Sequence, residues 1–351
     1  PNRTLKNLVI EAYGDSKGDR ELLKAATIPH YRSFVDQPVE YPLFSLVQLM
    51  PVVALALLGY LSLGLLSQGP ELLPLLIRLW PQVLLGLFLV LFGYGIRFVR
   101  WRMLMNAVHQ SIPITTDARI WIGSYAFTVT PAKSGEAVRA LLLKKEIGVP
   151  IPTSLMSLLV ERISDGASVL LLLLVNMPLL FGREFSLILP GAILTLVGFL
   201  LWLFLQQQEW INGLLSRLES IFTSKFRIAG SASSLALKSL LKFKLLFVSI
   251  VMSTISWFFE GLSLWLLLKG MGVTKISLGG ATVAHTSAGF LGAISLIPGG
   301  LGSAEAGTVG LLGLQGLALD LAMPVTLLIR LMTLWFATFL GVTCLFWSMR
   351  R

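Results

Sequence analysis

The sequence predicts an all-α, polytopic membrane protein with about six transmembrane helices plus two re-entrant hairpins in an inverted repeat. Three observations support this: the composition, a series of long apolar stretches, and two apolar stretches broken by Gly and Pro. Of 351 residues, 55% are hydrophobic and 13% are charged, and the mean hydropathy is +0.80. A soluble domain carries about 25% charged residues. So large an apolar surplus requires burial in lipid.

Six apolar stretches of about 20 residues or more predict the spanning helices, since that length crosses the hydrocarbon core. The fifth stretch is interrupted by Glu260 and the sixth by Arg330. The stretches lie at about 43–66, 76–104, 152–181, 186–206, 244–268 and 320–348.

Two further apolar stretches, 117–147 and 279–317, predict the re-entrant hairpins. Each has Pro and Gly at its centre and a carboxylate, Glu136 or Glu305, shortly after. Backbone amides freed by Pro and Gly cannot face lipid, so such segments lie inside protein or beside a watery cavity. The alternative for each stretch is a loop followed by an ordinary span.

The distribution of Lys and Arg predicts a cell (inner) membrane protein with both termini in the cytoplasm. With six spans, this orientation leaves 22 basic residues in cytoplasmic segments and four outside, as the positive-inside rule requires. Residues 1–41 are predicted to be a cytoplasmic tail or the end of an upstream domain. Residues 42–182 form the first membrane repeat and 183–351 the second, which includes amphipathic surface helices at 208–243.

A short pattern of charges occurs in both halves. Arg162 follows Glu136 by 26 residues, and Arg330 follows Glu305 by 25 residues. Each Arg lies in the span after a broken hairpin. Two halves of opposite orientation with this content are typical of secondary transporters with a site near the midplane.

The intramembrane charges of the first half are the main candidate site. Glu136, Arg139, Glu161, Arg162 and Asp165 cluster in sequence, and Glu161 and Asp165 share one helix face. Arg side chains bind phosphate through charge-assisted hydrogen bonds, with carboxylates holding them in place. We therefore predict that Arg139 and Arg162, with Arg330 of the second half, contact the phosphate. The alternative is an ion-pair network that fastens the hairpin to the third span.

The second half offers fewer charges. A Glu305–Arg330 pair is the simplest way to keep both groups charged in the membrane. For Glu260 we weigh proton coupling against an acid satisfied by a neighbouring Arg or Ser. Arg97, Arg100 and Arg102 end the second span as interfacial anchors, with contact to lipid phosphate as the alternative, and His285 is a hydrogen-bonded core residue.

The sequence argues against several classes of function. One Cys and three His exclude a disulfide framework and a Cys-rich metal site. We find no HExxH, GxSxG or P-loop motif and predict no cofactor and no metal. The net charge of +10 fits basic loops on an anionic leaflet. The predicted partners are therefore membrane lipids with phosphate-bearing headgroups rather than nucleic acid.

These motifs resemble the transmembrane region of lysylphosphatidylglycerol synthases, the flippase half of the multiple peptide resistance factor, and its stand-alone relatives. The resemblance covers about 43–348. It lies in the Pro131–Arg139 run, Glu161-Arg162 with Asp165, the Pro298–Glu305 run, and Arg330. It implies a protein that moves aminoacylated, anionic or polyprenyl-phosphate-linked lipids between leaflets. The lysyl-transfer domain is a separate soluble module in such proteins, so synthase activity is not implied.

Two other functions stay open at this point. An intramembrane lipid-modifying transferase would use Glu136 or Glu305 as general base. A membrane anchor would hold a soluble lipid-modifying enzyme through residues 1–41, or the chain would pair with a second copy of itself.

Overall fold

A computed structural model describes most of the membrane region of the chain. The described residues are 11–14, 20–26, 28–31, 60, 62, 72–130, 135–181, 236 and 239–349. The chain divides into two compact units, Pro1–Val52 and Val53–Arg351.

The first unit contains a small parallel sheet that the sequence analysis did not anticipate. Strand β1 (Glu11–Gly14), helix α1 (Arg20–Ala25) and strand β2 (Ile28–Tyr31) follow one another. Glu11 pairs with Ile28, and the register continues to Gly14 opposite Tyr31. Parallel neighbours need a crossover, usually helical, and α1 lies within it. The all-α prediction therefore holds for the described residues of the second unit and requires this addition in the first.

The described part of the second unit consists of helices and short turns. Its α-helices are α2 (Leu72–Arg78), α3 (Trp80–Ala107), α4 (Ile114–Ser124), α5 (Val138–Ile147), α6 (Ile151–Phe181), α7 (Phe243–Gly270), α8 (Leu278–Ile294), α9 (Ser303–Leu314), α10 (Leu319–Arg330) and α11 (Phe336–Met349).

Three helices within the described residues are long and apolar enough to cross a membrane: Trp80–Ala107, Phe243–Gly270 and Leu319–Trp347. They match the predicted second, fifth and sixth spans. The predicted third span is a helix of 31 residues, Ile151–Phe181. The predicted spans at 43–66 and 186–206, and the amphipathic helices at 208–243, fall wholly or mostly outside the described residues.

Large apolar side chains cover the outer faces of two of these helices. Such a surface is costly in water and suited to lipid. The exposed residues include Leu84, Phe88 and Leu91 on α3, and Phe247, Val251 and Ile255 on α7.

Both broken stretches form a pair of helices that pack against each other, α4 with α5 and α8 with α9. In the first, a 3₁₀ turn at Tyr125–Phe127 follows α4, while Pro131 to Ser134 lie outside the described residues. In the second, Gly299 and Gly300 both have φ of 63°, a backbone conformation that favours glycine. A Cβ on Gly300 would lie 2.7 Å from the Cα of Gly292, so close helix approach also requires glycine there.

Among the described residues, α3 and α7 are the first long helices of the two halves of the sequence; each is 28 residues long, and they pack antiparallel. Ser256 Oγ donates to the Gly93 carbonyl at 3.1 Å, and Ser263 Oγ donates to the Gly86 carbonyl at the same distance. Residue numbers therefore increase along α7 as they decrease along α3, so the two helices run in opposite directions. Small residues at these points let the two backbones approach closely.

Each half also packs against the last long helix of the other half. Helix α4 lies against α11, and α8 lies against α6. The first contact is tight, because a Cβ on Gly341 would lie 2.1 Å from the Ala126 nitrogen. Each of these contacts joins a helix of residues 42–182 to a helix of residues 183–351.

The last long helix contains a π-helical turn at Leu331–Trp335, directly after Arg330. Tyr94 Oη donates to the Thr333 carbonyl within this turn at 2.8 Å. Single π turns in α-helices occur frequently at functional sites. This one joins α10 to α11.

Gly261 provides a test of the packing between α7 and α8. A Cβ there would lie 2.6 Å from the Thr282 Cα, whereas a Cβ on Gly95 of α3 would meet nothing within 4 Å. We expect Gly261→Ala to lower the melting temperature of the purified protein in detergent, because backbone must move. Gly95→Ala is the matched control and leaves the melting temperature unchanged or higher. Equal effects of the two substitutions would contradict this packing.

Candidate functional site

In the described part of the chain, helices from both halves of the sequence line a cavity, and charged side chains dominate its wall. The cavity is open at its mouth and has a volume of about 90 Å³, and residues on both sides of position 183 contribute to it. Five arginines and four carboxylates line it: Arg97, Arg100, Arg139, Arg162, Arg330, Glu136, Glu161, Asp165 and Glu260.

Glu136 and Glu161 share Arg139 between them. Arg139 Nη2 lies 3.4 Å from Glu136 Oε2, and its Nη1 lies 3.1 Å from Glu161 Oε2. The Thr128 hydroxyl also donates to Glu136, at 3.3 Å. The Arg139 guanidinium stacks over the Trp101 ring, 4.3 Å from its centroid. This side chain is 3% exposed, so it supports the wall and is not accessible to a ligand.

Asp165 lies between two further arginines. Its Oδ1 is 2.7 Å from Arg100 Nη1, and its Oδ2 is 3.5 Å from Arg162 Nη2. Ser253 of α7 donates to the same carboxylate. Arg100 also contacts Glu161, at 3.4 Å. Three acids of the first half therefore each contact two guanidiniums, as a buried charge network requires.

Arg162 is the most accessible of the cavity arginines. It contacts Glu136 at 3.3 Å as well as Asp165, and its side chain is 36% exposed. The side chains of Arg97 and Arg330 are 13% and 12% exposed, and that of Arg100 is 1% exposed. Arg162, Arg97 and Arg330 are thus the cations that a ligand in the cavity can reach.

The predicted Glu305–Arg330 pair is confirmed. Arg330 Nε lies 2.7 Å from Glu305 Oε1, and its Nη2 donates to the Gly299 carbonyl. The other carboxylate oxygen, Oε2, accepts from the Gly302 amide at 2.7 Å. The pair therefore fastens the Gly-rich break of the second hairpin to the last helix.

Glu260 contacts groups of two kinds. Arg97 Nη1 lies 2.6 Å from its Oε1, and His285 Nε2 lies 3.0 Å from its Oε2. The Arg97 guanidinium stacks over Trp257, 5.0 Å from the ring centroid. Both the prediction of a neighbouring Arg for Glu260 and that of a hydrogen-bonded His285 are confirmed.

Several buried N–H groups of the lining have no acceptor within the described part of the chain. They are Arg100 Nε, Trp121 Nε1, Arg139 Nε and Arg162 Nε. All four are donors. Because these atoms are buried, they belong to the supporting wall and not to the surface that a ligand meets.

All of the predicted site residues come together. Glu136, Arg139, Arg162, Glu161, Asp165, Glu260 and Arg330 line the cavity, and Glu305 joins them through Arg330. Among the described residues, no group of three His, Cys, Asp or Glu side chains could hold a metal ion.

The prediction that Arg97 and Arg100 are interfacial anchors was wrong. Both side chains point inward into ion pairs, while Arg102 binds Asp117 at 3.0 Å. The signal in the sequence is the spacing of Tyr94, Arg97 and Arg100, which places all three on one face of α3. Because acids on distant helices provide the partners, local sequence could not reveal the pairing.

Comparisons with known proteins agree on one family. The family model described as "Lysylphosphatidylglycerol synthase TM region" matches residues 47–341. A UPF0104 membrane protein of Methanothermobacter thermautotrophicus is 29% identical over 259 residues, covering 69% of this chain and 73% of the relative. A UPF0104 membrane protein of Methanocaldococcus jannaschii is 26% identical over 230 residues, covering 64% and 94%. No solved structure matches the chain significantly.

Removal of a buried guanidinium should destabilise the protein more than removal of an exposed one. Arg139→Gln leaves two buried carboxylates with one guanidinium fewer, and breaking such pairs costs about 3–5 kcal/mol. Arg139→Lys restores little, because an ammonium cannot bridge two acids and stack on Trp101. The melting temperatures of the two purified variants in detergent measure their loss of stability.

The matched control is Arg119→Gln. Arg119 pairs with Glu146 at the surface, with side chains 39% and 29% exposed, and such pairs contribute about 0–1 kcal/mol. If Arg139→Gln unfolds at the same temperature as Arg119→Gln, the buried network is not a stability element.

Proposed function

From the fact that the chain belongs to the family of lysylphosphatidylglycerol synthase transmembrane regions, we propose that it moves a phosphate-bearing lipid between membrane leaflets. The lipid is anionic, aminoacylated or linked to a polyprenyl phosphate. Its headgroup enters the central cavity while its acyl or prenyl chains remain in the surrounding bilayer.

One observation carries this proposal: three accessible guanidiniums, Arg162, Arg97 and Arg330, line one cavity. A guanidinium binds phosphate oxygens in a planar, two-point manner. Guanidiniums inside a membrane protein are costly unless they face a cavity or a partner. A phosphate that enters would replace a carboxylate at Arg162. The two acids that contact Arg162, Glu136 and Asp165, would each still contact a second arginine.

Two features of the packing support an inverted repeat as the basis of movement. The equivalent helices α3 and α7 run in opposite directions, and each half packs against the last helix of the other. We propose that residues 42–182 and 183–351 form the two repeats, with re-entrant hairpins meeting at the cavity. Rocking of one repeat against the other would expose the cavity to each leaflet in turn.

The transferase alternative has less support from the geometry. Glu136 accepts from Thr128, Arg139 and Arg162, and Glu305 accepts from Arg330 and the Gly302 amide. Carboxylates held by so many donors are poor general bases. The anchor alternative requires a soluble enzyme that residues 1–41 recruit.

Removing the guanidinium of Arg162 or that of Arg330 should abolish lipid movement. We expect Arg162→Ala and Arg330→Ala to insert in the membrane at near wild-type levels but to lose flipping, because the phosphate loses its cation. The measurement uses liposomes with purified protein and fluorescent phosphatidylglycerol, scored by dithionite bleaching of the outer leaflet. Arg119→Gln, outside the cavity, is the control and retains the wild-type rate.

The same liposomes distinguish the alternatives. Wild-type flipping rates in both arginine variants would refute the headgroup site. A new lipid species in the mass spectrum would favour the transferase. The anchor would be favoured if the liposomes showed neither lipid movement nor a new product and if deletion of residues 1–41 abolished binding of a soluble enzyme.

The inverted repeat predicts the sides on which two exposed lysines lie. Lys145 lies near the end of the first hairpin, beside the C-terminal end of α3 that contains Arg102. Lys275 follows the C-terminal end of α7, which lies at the other end of the antiparallel pair of α3 and α7. In a Cys344→Ser background, Lys145→Cys should react with an impermeant maleimide only from the cytoplasm. Lys275→Cys should react only from outside. Labelling of both from one side would refute the inverted arrangement.

A further inference from the structure

The contacts of Glu260 point to a second ligand of the cavity besides the headgroup. Glu260 lies deep in the wall, 6% exposed, with Arg97 on one oxygen and His285 on the other. Glu136, Glu161 and Asp165 each contact two permanently charged guanidiniums, whereas the contacts of Glu260 within the described residues include a guanidinium and an imidazole. Histidine is the side chain whose ordinary charge change falls between pH 5 and 8.

We propose that His285 and Glu260 form a proton-binding site, and that binding of a phosphate headgroup at Arg97 is coupled to uptake of one proton there. This inference rests on the proposed function, because it requires the headgroup to reach Arg97. The lipid contributes one negative charge and the proton one positive charge, so the occupied cavity carries the same net charge as the empty one.

Headgroup binding is coupled to proton uptake because a headgroup that binds Arg97 deprives Glu260 of a cation. When a phosphate takes the Arg97 guanidinium, the Glu260 carboxylate loses a cation at 2.6 Å in a buried position. A buried carboxylate that loses its cation is strongly unfavourable. His285, 3.0 Å from the other oxygen, replaces that cation if its imidazole gains a proton. The hydrogen bond to Glu260 then has a charged donor as well as a charged acceptor.

The proton balance is simple. One proton leaves the solvent and binds the second ring nitrogen of His285, while the first nitrogen keeps its hydrogen bond to Glu260. No covalent bond changes in the lipid. When the headgroup leaves, Arg97 returns to Glu260 and the imidazolium releases its proton.

Other charged groups at the cavity are already paired with each other. Helices α7, α9 and α6 pack against α8, which carries His285. The charged groups that these helices and their neighbours bring to the cavity, besides Glu260, are Arg97, Arg100, Arg139, Arg162, Arg330, Glu136, Glu161, Asp165 and Glu305. Each of the last four contacts at least one of these arginines. Among the acids of the cavity with described contacts, Glu260 is the one bonded to a histidine.

The test measures proton uptake on lipid binding. Purified protein in dodecyl maltoside, weakly buffered between pH 7 and 8, is titrated with dihexanoylphosphatidylglycerol. The phosphate of this probe does not itself titrate near neutrality. A pH indicator reports protons, and calorimetry reports binding. Wild type should take up about one proton per bound probe, and its affinity should fall by up to about tenfold per pH unit as pH rises.

Three variants sharpen the result. His285→Gln keeps a hydrogen-bond donor for Glu260 but cannot gain a proton, so it should bind the probe with uptake near zero. Glu260→Gln removes the charge that His285 would balance and should also lose uptake. His109→Gln, an exposed histidine outside the cavity, should match wild type.

The outcomes separate the two proposals. Saturable binding by wild type without proton uptake, or unchanged uptake in His285→Gln, overturns the proton site but leaves the proposed function standing. If wild type shows no saturable binding of the probe, the proposed function fails, and the coupling inferred from it fails as well.

Discussion

The pairing of guanidiniums with carboxylates inside an apolar bundle is the constraint on which the rest of this structure depends. Burial of an unpaired charge is far more costly than burial of a hydrogen-bonded pair. The helices that bear Arg100, Arg139 and Arg162 must therefore lie close enough to share Glu136, Glu161 and Asp165. The first hairpin is held against α6 by these contacts, and the second is held against α10 by Glu305 and Arg330. The ion pairs thus position the elements that line the cavity, and the guanidiniums of Arg162, Arg97 and Arg330 remain accessible within it.

Much of the architecture could be predicted because its causes are local in sequence. Apolar length predicts the helices Trp80–Ala107, Phe243–Gly270 and Leu319–Trp347, and the Pro-Gly-Gly run predicts the break before Ser303. The 25-residue spacing of Glu305 and Arg330 predicts their contact, which the structure confirms. In each case one element, or two elements adjacent in the chain, contains all of the information.

The site could be predicted only in part, because its remaining contacts join distant elements. Arg97 and Arg100 looked like interfacial anchors since Trp101 and Arg102 surround them, yet their acids come from α6 and α7. The Glu260–His285 contact crosses from α7 to α8, and helical periodicity gives no information on which faces meet. The short sheet of the first unit was also missed, because strands of four residues give little periodic signal.

The π-helical turn at Leu331–Trp335 has a consequence for how one helix serves two neighbours. A π turn holds one residue more than an α turn, so the segments on either side differ in angular phase by about 100°. Helix α10, before the turn, directs its buried face to α9 and α7, whereas α11, after it, directs its buried face to α4. A continuous α-helix would present one stripe to both. The extra residue lets one continuous helix present buried faces in two directions, toward α9 and α7 before the turn and toward α4 after it.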